Sequence, residues 1–199
     1  MAGTKGAETS GRLVEAMLEL IQARGYSGTG LNTVVEQAGA PKGSLYFHFP
    51  QGKEALGERA VDLAAARFRS LLADAELESA GPDEVIHRVI DVLAGLLEES
   101  DFQLGCPVSV VTLEMGAQSE RLRTACGNAF ESWISPVAEY LVGLGRSEEA
   151  ARTLATAVVS AVEGAMIVSR AQRSVEPLRR TAQVLAGLLD QRAPVTEAV

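Results

Sequence analysis

The chain has 199 residues and a mass of 21.0 kDa; 47% of its residues are hydrophobic and 22% are charged. This composition is typical of a soluble globular protein and excludes a wholly disordered chain. The two cysteines exclude a disulfide scaffold and a four-cysteine zinc site. The first ten residues contain no apolar segment, so we expect no secretory signal. The apolar run at residues 153–169, which contains a single charge, is too short for a bilayer span, which needs about 20 apolar residues. We therefore expect a soluble, cytoplasmic protein.

The net charge of -8 is distributed unevenly along the sequence. Residues 1–56 contain five basic and five acidic side chains and are neutral, whereas residues 57–199 contain 13 arginines and 21 acids. All three lysines lie within the first 53 residues, and no acid occurs between Gln37 and Lys53. An acidic protein has the wrong overall sign for binding nucleic acid, but this front segment keeps a local positive charge.

Apolar residues recur at helical spacing through almost all of the chain after residue 8. The first helix is expected to end at Gly25, and a break is expected at Ser79–Pro82 because it combines serine, glycine and proline. The remaining helices are expected over about 31–38, 41–46, 52–77, 108–115, 119–144, 148–173 and 177–191. A further helix is expected to begin near 83 with its apolar face over 86–97, and the tail 193–199 is expected to be frayed. Because no segment alternates as a strand does, the sequence predicts an all-α protein of about nine helices.

The segment from Gly25 to Leu56 carries the main functional signal. Gly39 tolerates the left-handed backbone that a sharp turn requires, and the helix after it is too short to be stable alone. Burial of Leu45 and Phe49 must therefore hold that helix in place. Its other face is expected to present hydrogen-bond donors and no carboxylate, as in a helix-turn-helix whose second helix enters the major groove. The residues expected on this face are Lys42, Gly43, Ser44, Tyr46 and His48.

Four short motifs in this segment resemble the DNA-binding domain of TetR-family repressors. They are Gly25-Tyr26, Ala38-Gly39, KGSLYFHF at 42–49 and KEAL at 53–56. The chain length and the all-helical remainder fit the same family. In the second half, GCP at 105–107 and SVEPLRR at 174–180 are similar to a branch associated with multidrug-efflux control.

The resemblance implies a fold, a domain division and a function. It implies an N-terminal helix-turn-helix domain over 1–51 and a C-terminal helical ligand-binding and dimerisation domain over 52–199. It also implies a homodimeric repressor that binds a near-palindromic double-stranded DNA operator and leaves it when a small apolar or cationic effector binds. Repressor and activator remain alternatives, because both use the same DNA-binding part.

The resemblance also assigns DNA contacts to individual residues. Lys42 and Gly43 fall where the family approaches base edges, and Lys53 falls where the fourth helix begins and attracts phosphate. Gly30 stands where the family usually has a serine or threonine, and Thr29 is expected to substitute for that hydroxyl. The full expected set is Thr29, Thr33, Lys42, Gly43, Ser44, Tyr46, Phe47, His48 and Lys53.

Two further sets of residues are candidates for binding an effector and a second copy of the chain. Trp133 and Met166 suit adaptable binding of flat apolar molecules, and Glu163 is a carboxylate among mostly apolar helical neighbours. Ordinary core packing is an alternative for each of these side chains. The effector candidates are Phe102, Cys106, Val110, Leu113, Glu114, Phe130, Trp133, Ile134, Glu163, Met166 and Ile167. The dimer candidates are Val158, Ala161, Val162, Ala165, Leu185, Leu188 and Leu189.

Three other functions were weighed against DNA binding. Glu84 and His87 match one Glu-x-x-His element of a di-iron helical bundle, but such a site needs two, and a residue other than Glu precedes His48 at that spacing. A thiol redox sensor through Cys106 and Cys126 is a second alternative, and a helical interaction module that does not bind DNA is a third. The sequence contains no Walker-type or GxGxxG loop, so we expect no enzyme, no metal and no cofactor.

Overall fold

The structure, a computed structural model, describes residues 2–74 and 81–190. Within those residues it contains nine α-helices and no strand, which confirms the predicted all-α fold. The helices are α1 (Ala2–Arg24), α2 (Leu31–Gln37), α3 (Lys42–His48), α4 (Lys53–Asp74), α5 (Pro82–Glu99), α6 (Pro107–Met115), α7 (Glu120–Gly143), α8 (Glu148–Gln172) and α9 (Glu176–Asp190). The predicted helix ends near 77 and 191, the break at 79–80 and the tail 193–199 lie outside the described residues.

The helices from α2 onward begin within one residue of the sequence-based expectation, and α1 begins earlier than expected. The helix α1 begins at Ala2, although its apolar face begins only at Leu13, so its first turns carry no periodic signal. The helix α3 begins at Lys42 rather than at Pro41, which precedes it in an extended conformation. Proline is tolerated at the residue before the helix as well as in its first turn, because neither position uses the backbone N–H that proline lacks.

The first packing unit comprises residues up to 68 together with 103–130. In this unit α1 packs against α2, α3 and α6. Leu13, Met17, Ile21, Val34 and Leu45 are among its fully buried side chains. Each such side chain contributes roughly 1.5–3 kcal/mol by leaving water, which is what holds the two seven-residue helices α2 and α3. The expected domain limit at residues 51 and 52 stays a prediction.

The second packing unit comprises residues 69–102 and those from 131 onward. In this unit α5 and α8 both pack against α9. Ser147 caps the start of α8, since its hydroxyl accepts a hydrogen bond from the Ala150 amide at 3.3 Å. The C-terminal end of α9 is satisfied by Arg146, whose guanidinium donates to the Leu189 carbonyl at 2.9 Å. These contacts fix the ends of the two helices expected to form a dimer.

The helix α8 is long and apolar enough to cross a membrane by length and composition alone. One such helix is weak evidence for a membrane protein, because the core helices of soluble proteins meet the same criterion. The helix extends beyond the run 153–169, which by itself is shorter than a span requires.

Candidate nucleic-acid interface

A tight turn joins α2 to α3. Gly39 adopts a positive φ of 56°, and its amide donates to the Glu36 carbonyl at 3.1 Å. The amide of Ala40 donates to the Val35 carbonyl at 3.1 Å, so the last carbonyls of α2 are satisfied by the turn itself. Ala38 is buried here, as its small side chain allows. The turn therefore fixes the direction in which α3 leaves α2.

The helix α3 has one buried and one exposed face. Leu45 and the following Phe49 are buried, which confirms that they hold the helix. Tyr46 is 65% exposed and Phe47 80% exposed, so neither belongs to the core. Two adjacent exposed rings are a feature that surfaces contacting a partner commonly show.

Polar residues accompany these two rings. Lys42 and Gly43 are exposed, whereas Ser44 and His48 are half-buried. The rings of Phe47 and His48 meet edge to face with their centroids 5.0 Å apart. With no acid between residues 37 and 53, the exposed face of α3 combines donors, rings and a cation without a carboxylate. This arrangement suits a groove lined by phosphates and base edges.

Gly43 has open space where a side chain would be, because a Cβ built there meets no atom within 4 Å. Packing within the chain therefore does not require glycine at this position. A glycine inside a helix costs roughly 0.5–1 kcal/mol relative to alanine. The absence of a side chain at Gly43 is consistent with close approach of the helix backbone to a partner.

The turn between α1 and α2 corrects the expectation for Thr29. Its side chain is 1% exposed, and its hydroxyl donates to the Gly25 carbonyl at 2.7 Å. The hydroxyl is therefore used inside the turn and cannot substitute for the family's exposed serine or threonine. Gly30 precedes α2 in an extended conformation and supplies no side-chain cap. Thr33 is half-buried in the first turn of α2.

Lys53 begins α4, as predicted, and lies over an aromatic ring. Its ammonium nitrogen is 4.3 Å from the centre of the buried Tyr26 ring. Burial lowers the pKa of Lys53, and the nearby Glu114 carboxylate acts in the opposite direction. Burial and the Glu54 carboxylate raise the pKa of Tyr26 to about 12. The sequence motif contains Tyr26, but the set of expected site residues omitted this contact.

The effector candidates divide between the two packing units. Cys106, Val110, Leu113, Glu114 and Phe130 belong to the first unit, and Phe102, Trp133, Ile134, Glu163, Met166 and Ile167 belong to the second. Trp133 is buried, whereas Leu113 is 78% exposed. Glu114 accepts a hydrogen bond from the Ser27 amide at 2.7 Å, so its carboxylate is engaged by the turn after α1. Their assignment to an effector site stays a prediction.

Most of the dimer candidates face the chain's own core. Val158, Val162, Ala165, Leu185 and Leu189 are buried, Ala161 is half-buried, and Leu188 is exposed. The buried five cannot form a surface for a second copy, because their apolar face already packs within the second unit. The outward face of α8 and α9 consists of small and apolar residues at helical spacing, and of the dimer candidates only Leu188 lies fully on it. It contains Ala157, Ser160, Gly164, Ile167, Val168 and Ala171 on α8, and Val184, Gly187 and Leu188 on α9.

The residues of the alternative functions have ordinary structural partners. His87 lies 3.4 Å from Asp83, and Glu84 pairs with Arg88, each along one face of α5. Cys126 is buried, and burial raises the pKa of its thiol, with a Thr112 hydrogen bond acting against that shift. A raised pKa disfavours the reactive thiolate. Among the described residues, no group of three or more potential ligands could hold a metal ion.

The helices α2 and α3, the turn between them and the exposed donor face define a DNA-binding protein of the helix-turn-helix class. Residues 13–60 match the family described as "Bacterial regulatory proteins, tetR family". Residues 82–184 match "Transcriptional regulator LmrA/YxaF-like, C-terminal domain". The chain belongs to the TetR family of transcriptional regulators, as its motifs indicated.

Individual proteins give the same result over nearly the whole chain. The HTH-type transcriptional regulator LmrA of Bacillus subtilis (strain 168) is 35% identical over 178 residues, which are 89% of this chain and 95% of LmrA. The HTH-type transcriptional repressor DhaR of Mycobacterium sp. (strain GP1) is 27% identical over 192 residues, 94% of this chain and 93% of DhaR. A TetR transcriptional regulator from Chloroflexus aurantiacus J-10-FL has a crystal structure with a TM-score of 0.79 and 27% identity, covering 95% of this chain and 98% of its own. These similarities indicate a regulator rather than an enzyme.

Proposed function

We propose that the chain is a homodimeric cytoplasmic repressor that binds a near-palindromic operator and leaves it when a small apolar or cationic effector binds. The observation that carries this proposal is the exposed face of α3. It presents Lys42, Tyr46 and Phe47 to solvent on a helix whose own packing uses only its opposite face. A repressor of this class inserts that helix into the major groove.

Each residue on this face has a role in the proposal. Lys42 donates to base edges, Gly43 lets the helix backbone approach the groove, and Phe47 contacts a thymine methyl group. Tyr46 and His48 donate to phosphate oxygens, which position the helix without reading sequence. Ser44 and Thr33 are placed to add hydroxyl contacts, and Lys53 adds a cation at the start of α4. Thr29 has no direct contact with DNA in this proposal, because its hydroxyl is buried.

The exposed face of α8 and α9 supports the homodimer. Small residues such as Ala157 and Gly164 let a second helix approach closely, and Ile167 and Val184 add apolar area at 53% and 63% exposure. Association would cover these side chains. A dimer also supplies two recognition helices, which a two-fold operator needs about 34–36 Å apart.

Effector release requires two states with unequal affinity for the effector. An effector that binds the state whose recognition helices do not fit the operator shifts the dimer away from DNA. The relative DhaR is named a repressor, which supports repression over activation here. The resemblance to regulators of multidrug efflux favours a lipophilic cation as a first probe.

Sedimentation of the purified chain with a duplex from the gene's own upstream region tests this proposal. We expect two or four chains per duplex, and none at a scrambled duplex of equal length. Tetraphenylphosphonium, a lipophilic cation that does not intercalate, serves as the effector probe. It is expected to dissociate the complex and to change the emission of Trp133, the single and buried tryptophan. One chain per duplex would contradict the homodimer, and a single affinity for both duplexes would contradict the regulator.

A further inference from the structure

The turn after α1 is held by a side chain from a distant part of the sequence. The Glu114 carboxylate, in the last turn of α6, accepts a hydrogen bond from the Ser27 amide at 2.7 Å. The Ser27 hydroxyl lies 4.0 Å from the sulfur of Met115, the next residue on α6. Both contacts join α6 to the turn that leads from α1 into the helix-turn-helix.

The Glu114 carboxylate occupies the space beside Gly25 where a side chain would otherwise lie. A Cβ built on Gly25 would overlap Oε1 of Glu114, so any side chain there would displace the carboxylate from its present position. Gly25 also adopts a positive φ of 80°, which independently favours glycine. We refer to the packing of the Glu114 carboxylate on Gly25 and Ser27 as the Glu114 contact.

The position of Glu114 in its own helix is unfavourable. A carboxylate in the last turn lies near the negative end of the helix dipole, where a cation would be preferred. The Ser27 amide offsets this by offering a donor that the turn does not use in its own backbone bonds. Glu114 also interacts with Lys53, which lies over the Tyr26 ring. The Glu114 carboxylate is therefore stabilised by its contacts with the turn and not by its position in α6.

We propose that Glu114 is a positioning residue for DNA binding: its carboxylate holds the Gly25–Ser27 turn and thereby sets the orientation of the helix-turn-helix for the operator. This inference rests on the proposed function. The turn leads directly into α2, so a shift at Ser27 displaces the start of the motif.

Glu114→Ala and Glu114→Gln test the inference, with Glu120→Ala as the matched control. Glu120 is an exposed acid in the same packing unit, at the start of α7. Removing any acid reduces repulsion of DNA, so the control is expected to bind the upstream duplex equally or slightly more tightly. Glu114→Ala is expected to bind it about tenfold more weakly, within the range reported for residues that couple distant sites. Glu114→Gln keeps an acceptor oxygen and is expected to recover most of that loss.

Two further readouts separate positioning from a general loss of structure. In Glu114→Ala the Ser27 amide should exchange its hydrogen faster, while the thermal unfolding midpoint stays close to that of the wild type. Gly25→Ala should weaken operator binding in the wild type and weaken it less in the Glu114→Ala background, because the overlap with Oε1 is then absent.

The outcomes distinguish the inference from the function on which it rests. If the wild type shows no preference for the upstream duplex over a scrambled one, the proposed function fails and the inference fails with it. If the wild type does prefer it and Glu114→Ala binds as tightly as Glu120→Ala, the inference alone is overturned. Faster exchange at Ser27 with unchanged affinity would also overturn it, since the contact would then exist without setting affinity.

Discussion

The chain exposes apolar side chains in two places that differ in what lies between them. On α3, the adjacent rings of Tyr46 and Phe47 lie one turn after a lysine, a glycine and a serine. On α8, the exposed Ile167 and Val168 lie beside small residues such as Gly164 and Ala171. Exposed apolar area alone does not identify a partner. Donors and a cation beside it indicate a phosphate-lined groove, whereas small residues beside it indicate another helix.

The largest expected effect comes from placing a charge on the α8 surface. We expect Ile167→Glu to fold normally, since Ile167 is already exposed, but to prevent dimerisation because a carboxylate would be buried at the interface. Operator affinity should then fall on the order of a hundredfold or more, because the second half-site is no longer bound at high effective concentration. Sedimentation and duplex titration measure the two effects. Leu96→Glu, on the exposed side of α5, is the control. An equal loss of operator affinity in both variants would show that the α8 surface has no specific role in dimerisation.

Removing the cation of α3 is expected to affect both affinity and specificity. Lys42→Ala should cost about 1–3 kcal/mol at the operator and should relax discrimination between duplexes that differ at one base pair. The control, Arg123→Ala, removes the same charge from α7 in the same packing unit. Unchanged operator affinity in Lys42→Ala would mean that α3 is not the recognition helix.

Adding one methyl group at Gly43 separates folding from DNA binding. Gly43→Ala should raise the free energy of unfolding by up to about 1 kcal/mol, since helix propensity improves and the space is open. Operator affinity should fall about tenfold, or 1.4 kcal/mol, because the helix can no longer approach as closely. Gly11→Ala is the control, because a Cβ there also meets nothing within 4 Å. If both variants are stabilised and both bind normally, Gly43 has no role in DNA contact.

The smallest expected effect is at Lys53. Lys53→Ala should weaken binding to all duplexes alike and reduce the slope of log affinity against log salt by about one, as expected for one lost phosphate contact. The salt slope separates two causes of weaker binding. Loss of the Lys53 contact with the Tyr26 ring would lower the stability of the fold but would leave the salt slope unchanged. An unaltered slope would show that the Lys53 ammonium serves the Tyr26 ring and no phosphate.

The sequence predicted the helices and the α3 face because both depend on local information. Periodicity identifies an amphipathic helix, and burial of Leu45 and Phe49 followed from the shortness of α3. Thr29 was assigned wrongly because a hydroxyl at the edge of a turn looks the same in sequence whether it faces solvent or the Gly25 carbonyl. Only the structure shows the bond that buries it.

Two other features could not be predicted from local sequence, because they depend on residues that are far apart in the chain. The helix α8 is apolar on two faces, and periodicity did not show that Val158 and Val162 belong to the core while Gly164 and Ile167 face outward. The contact between Ser27 and Glu114 joins residues 87 positions apart. A carboxylate at the wrong end of a short helix was the one sequence signal that could have suggested a partner for Glu114.

The central claim is that the front segment of this acidic protein binds a specific duplex through α3. Fluorescence anisotropy of a labelled duplex from the gene's upstream region, repeated over a salt series, tests it most directly. We predict tight binding that resists competitor DNA and weakens steeply with salt. Equal, weak affinity for upstream and scrambled duplexes at every salt concentration would contradict the claim.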